Sequence, residues 1–128
     1  MTVSNAADLM EMLPSKINEL VEMGNRGYGL TKRILRSANL NIEYFEEVME
    51  ITKMIAEIWR QVDLIWRSYE NENGENPGVI EQLDLIGELV KQIEDISGQG
   101  NAGLTTEKNV LRLLKEYLNE LTRELTLL

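Results

Sequence analysis

Apolar residues recur along most of this chain at intervals of three and four, the spacing of helices that bury one face. The longest such run covers 42–69. There Val48, Ile51, Ile55, Ile58, Val62, Ile65 and Tyr69 fall on one stripe of a helical wheel, and Glu46, Glu50, Lys53, Glu57 and Arg60 fall opposite. A second segment, 77–97, aligns Val79, Leu83, Ile86, Val90 and Ile93, with Leu89 and Ile96 widening the face. A third, 105–128, begins at Thr105 or Thr106 and steps by three and four through Leu111, Leu114, Leu118, Leu121, Leu125 and Leu128. So short a heptad seam reads as a packing face within a bundle. Nearer the start, Leu9, Met10, Leu13, Ile17, Leu20 and Val21 also keep helical spacing, with Ser4 or Asn5 as the cap.

The residues between these runs set the expected boundaries. Pro14 either kinks the first helix or opens a new one, and Gly24 is expected to end it. "GNRGYG" at 24–29 reads as a turn cluster leading to a short helix from Leu30 to Ala38. "ENENGENPG" at 70–78 reads as a chain reversal, with Asn76 before Pro77 marking a helix start. Gly98 and Gly100 are expected to close the next helix, and "SGQGNAGLTTEK" at 97–108 reads as a connection. The expected fold is all-α: an antiparallel helical bundle or elongated helical hairpin forming one domain over 1–128. Shorter N-terminal helices occupy 1–38 and a three-helix core occupies 40–128.

Composition narrows the class. Of 128 residues, 43% are hydrophobic, 27% charged and only 5% aromatic, which suits helices packed by aliphatic side chains. The net charge of −9 repels phosphate backbones, and the 13 Lys and Arg are interspersed among acids, so direct nucleic-acid binding is not expected. The chain has no cysteine and no histidine, which removes disulfides, thiol and imidazole chemistry, and most zinc or iron ligand sets. "MTVSNAADLM" has no basic stretch followed by an apolar run, so no secretory signal is expected within this sequence. No transmembrane segment is expected either, since no apolar stretch approaches the ~20 residues that span a bilayer.

Several motifs invite chemistry and do not meet its requirements. A phosphate-cradling loop follows a strand and carries Lys-Ser or Lys-Thr into a helix. Here the glycines of 97–103 follow a helix and the only lysine comes after the threonine pair. The acids at 43, 46, 47, 50 and 57 lie on the wet side of their helix, where a bundle metal site cannot use them. The reading therefore assigns no catalytic residue, no cofactor and no metal. What remains are residues suited to a protein partner: Arg26, Tyr28 and Lys32 in the glycine cluster, and Trp59 and Trp66, which flank the apolar stripe. For both tryptophans core packing is the alternative. Partner binding or self-association through helix faces is the expected mode of action.

Two stretches, "NIEYFEEVMEITKMIAEIWRQVD" and "LVKQIEDISGQGNAGLTTEKNVLRLLKEYLNELTRELTLL", together resemble the helical conjugal-transfer proteins of Bacteroidales conjugative elements. These are the TraI-type group, related in shape to minor pilus components of type IV secretion systems. The similarity lies in helix order, a Thr-Glu-Lys start after a short loop, and a final amphipathic helix. The resemblance implies a non-enzymatic component of a DNA-transfer apparatus, exported to the periplasm or cell envelope after removal of a signal. A cytosolic acidic adaptor or regulator that binds a protein partner is the competing reading, and it implies a cytoplasmic protein.

Overall fold

The computed structural model describes residues 6–38, 41–101 and 107–128. Pro14 does open a new helix. Helix α1, Ala6–Met10, ends before a turn at Glu11 and Met12, and α2, Leu13–Arg36, carries Pro14 in its first turn. The missing proline N–H costs nothing there, because first-turn amides have no partner within the helix. The cap residues Ser4 and Asn5 lie outside the described residues.

The expected turn at 24–29 is overturned, since α2 runs unbroken through Gly24, Gly27 and Gly29. The reason is packing. A Cβ at Gly24 would stand 2.4 Å from Thr122 Oγ1, and one at Gly27 would stand 3.0 Å from Leu118 Cδ1. These glycines are where two helices approach closely, and the contact outweighs glycine's helix penalty of about 1 kcal/mol.

Helix α3, Ile42–Asn73, starts at Asn41, whose side-chain oxygen accepts the Tyr44 N–H at 3.1 Å. It continues four residues past the expected end at 69. Gly74 then turns the chain with φ of 90°, which a residue with a Cβ rarely adopts. Glu70, 7% exposed, accepts the Asn76 N–H at 2.7 Å, and Asn76 Oδ1 accepts the Gly78 N–H at 3.0 Å. The reversal is thus closed by side chains on both sides, and α4 begins at Pro77 as expected.

Helix α4, Pro77–Asn101, continues beyond 97 through Gly98 and Gly100 instead of stopping there. Glycine lowers helix stability without forbidding it, and Ile96 and Ser97 anchor this end by burial. The rest of the expected connection, 102–106, lies outside the described residues, as does the expected start at Thr105 or Thr106. Helix α5 is described over Glu107–Leu125.

The four long helices form an up-down-up-down bundle. α2 lies against α3 and α5, α4 lies against the same two, and α1 packs on α3. Bonds between neighbours fix the antiparallel sense: Lys16 to Gln61 and Arg26 to Glu47 between α2 and α3, and Gln82 to Glu124 between α4 and α5. The core therefore has four helices rather than the three expected in 40–128, because α2 contributes Leu13, Leu20 and Ile34. Leu111, Leu114, Leu118, Leu121 and Leu125 are all buried, so the heptad seam is core. Each such side chain contributes roughly 1.5–3 kcal/mol through removal from water. Among the described residues there is no strand, and no helix is long and apolar enough to cross a membrane.

Candidate functional site

The residues singled out for a partner do not form one constellation. Arg26 is exposed and ion-paired with Glu47 on α3. Tyr28, two positions on, stands on the opposite flank of α2, where Lys32 Nζ lies 5.3 Å from its ring centroid. A parallel contact places Arg33 5.5 Å from the Tyr44 ring. These cations are thus held by local aromatic or carboxylate partners. Trp59 is 4% exposed, beside Gly87 of α4, so it packs the core and offers no exposed anchor. Trp66 is half-buried and lines an open cleft.

Polar side chains inside the bundle satisfy one another. The Thr52 hydroxyl lies 2.7 Å from the Met49 carbonyl, and the Ser97 hydroxyl lies 2.8 Å from the Ile93 carbonyl and 3.0 Å from Thr52 Oγ1. The Thr31 hydroxyl donates to the Tyr28 carbonyl at 2.7 Å. Among the described residues no buried side-chain nitrogen or oxygen lacks a partner. Of the acids expected on the wet side of α3, Glu43, Glu46, Glu50 and Glu57 are exposed and Glu47 is half-buried. No group of three or more acids among the described residues is placed to hold a metal ion.

The strongest electrostatic feature is surface architecture. Arg67 donates from Nε to Asp63 at 2.7 Å and from Nη2 to Asp84 on α4 at 2.6 Å. Hydrogen bonding to Asp84, then to Asp63, raises the guanidinium pKa above its ordinary value. This fork ties α3 to α4.

The cleft beside Trp66 has a volume of about 470 Å³ at the end of the bundle where α2 begins and α5 finishes. Ile17 and Val21 of α2 face Leu125 and Leu128 across it, Met10 and Pro14 border it, and Asn18 and Thr126 supply the polar atoms. A smaller recess of about 280 Å³ adjoins it, sharing Trp66 and Leu128 and adding Val79 and Leu127. Trp66 is the one partner residue of the sequence reading that belongs to this site. Ile17 and Val21 were legible as helical apolar positions but not as cleft walls. Their signal was that α2 carries more apolar positions than Leu13, Leu20 and Ile34 need to face the core.

No family model, curated protein or solved structure matches this chain. Its class is accordingly defined by the fold, an acidic up-down-up-down four-helix bundle with an apolar cleft at one end.

Proposed function

We propose that this chain is a non-enzymatic assembly or interaction protein that works through protein contacts. The observation that supports it is the apolar cleft lined by Trp66, Ile17 and Val21, which is open to solvent. Apolar concavities of this kind are where partner or ligand surfaces commonly seat. Photo-crosslinking in cells tests the reading: a photoreactive residue at Asn18 should give a discrete protein adduct. Absence of adducts there and at several positions on every other helix defeats it.

The setting we propose is a conjugative DNA-transfer apparatus, in line with the resemblance carried by 41–63 and 89–128. Deleting the gene should then lower transfer frequency, with restoration by the intact copy, and fractionation should find the protein in the cell envelope. The acidic surface favours a second reading, a cytosolic adaptor that covers a basic partner. A cytoplasmic protein whose loss leaves transfer unchanged supports that alternative.

A further inference from the structure

We infer that the cleft between the start of α2 and the end of α5 is the docking site for one amphipathic, net-basic helix of a partner protein. This rests on the protein-contact reading and names the partner's chemistry. The shape argument comes first. The cleft is a furrow between two antiparallel helices, with Ile17 and Val21 one turn apart on α2 and Leu125 and Leu128 on α5. Such a furrow takes the apolar stripe of a helix, whose anchors recur every three or four residues. Trp66 forms part of its wall, and half-buried tryptophans of this kind concentrate binding energy.

Charge then selects the occupant. Asn18 borders both the cleft and a polar shelf formed by Ser15, Glu19 and Glu22. Glu11, Glu19 and Glu22 are exposed and have no ion-pair partner among the described residues. Lys16 of this half of α2, hydrogen-bonded to the neutral Gln61 at 2.6 Å, keeps its charge but is outnumbered by these three acids, and Arg123 on the neighbouring stretch of α5 is paired with Glu120. The other α2 cations, Arg26, Lys32, Arg33 and Arg36, lie in its far half. The rim is therefore negative around an apolar floor. It attracts lysine and arginine flanking an apolar stripe, and repels anionic lipid surfaces and acidic helices. A second copy of this chain, also at −9, meets the same repulsion.

The test uses the full chain with Trp59→Phe, so that Trp66 is the sole indole reporter. The probes are an amphipathic leucine–lysine peptide and its leucine–glutamate counterpart. The lysine peptide should shift Trp66 emission saturably, with affinity falling as salt rises, and the glutamate peptide should not. Val21→Glu and the exposed rim change Asn18→Arg should each weaken binding by about tenfold or more, which corresponds to the loss of one interface anchor. Leu85→Glu on α4 should leave binding unchanged, and thermal melts should show all variants folded. Equal binding of both peptides, no binding, or indifference to Asn18→Arg overturns the inference. So does dimerisation abolished by Val21→Glu, or capture of anionic vesicles through the same residues. If peptide binding fails while crosslinks from other helices recover a partner, the contact reading survives and this surface is wrong. If both fail, the contact reading falls as well.

Discussion

Gly24 of α2 lies directly beneath Thr122 of α5, with only 2.4 Å between the position of a missing Cβ and the threonine hydroxyl oxygen. That hydroxyl already donates to the Leu118 carbonyl at 2.8 Å. Gly24→Ala must push it aside, at a cost of about 1–3 kcal/mol of overpacking against a helix-propensity gain of about 1. A net loss of up to about 2 kcal/mol is expected in chemical denaturation. Adding Thr122→Ala should recover most of it, and simple additivity of the two changes would show that the contact is not what matters. Gly29→Ala, with nothing within 4 Å, should instead stabilise by about 0.5–1 kcal/mol.

The buried seam of α5 yields a coarser expectation. Leu118 is fully buried, so Leu118→Ala should cost about 2–5 kcal/mol. The exposed neighbour Leu113→Ala should stay within about ±0.5. Equal melting temperatures for the two variants would place Leu118 outside the core.

The buried Thr52–Ser97 pair bridges α3 and α4, yet each hydroxyl also lies within reach of a carbonyl of its own helix. Replacing both partners, as Thr52→Val with Ser97→Ala, removes donors and acceptors together. It should change stability by no more than about 1 kcal/mol. A loss several times larger in urea titration would mean that the bridge sets the α3–α4 register.

The α3–α4 reversal depends on a backbone angle and a buried carboxylate. Gly74→Ala forces a Cβ into φ of 90° and should cost about 1–3 kcal/mol. Glu70→Leu should cost a similar amount, about 1–3 kcal/mol, by leaving the Asn76 amide without its acceptor, whereas Glu70→Gln keeps an oxygen there and should lose less. Calorimetry on the three variants checks the order.

Arg67 gives a prediction about pH. Its folded pKa is raised, by Asp84 first and Asp63 second, so its contribution is fully present below the unfolded-chain value and lost only as pH rises through the folded one. That window is strongly alkaline. The difference between the natural chain and Arg67→Met should therefore be flat across neutral pH, small at about 0–1 kcal/mol for so exposed a pair, and smaller still in high salt. A difference that changes through the neutral range would implicate another group.

The parts of this fold legible in the sequence are those set by local periodicity. The stripe from Val48 to Val62, the leucine seam and the Asn76–Pro77 start depend only on neighbours along the chain, and each stands where the pattern puts it. Gly24 and Gly27 read as a turn because their meaning comes from Thr122 and Leu118, more than ninety residues away in sequence. Trp59 and Trp66 sit two helical turns apart on similar faces, but one is opposite Gly87 and the other is at the bundle's end. No local signal separates them. The cleft likewise draws on 10–21, on 66 and on 125–128, segments that only the completed bundle brings together.

The same topology has a mechanical consequence. Met10 and Leu128 border one cleft, so both ends of the helical body lie on the same side, and α2 and α5 run antiparallel along the seam that closes the ring. Tension applied through those ends peels the two helices apart one turn at a time, beginning at Ile17 and Leu125 and reaching the tight Gly24–Thr122 contact next. It never loads the whole seam in shear. The bundle should therefore yield at low force from this end, and the first turns to open are those that form the cleft.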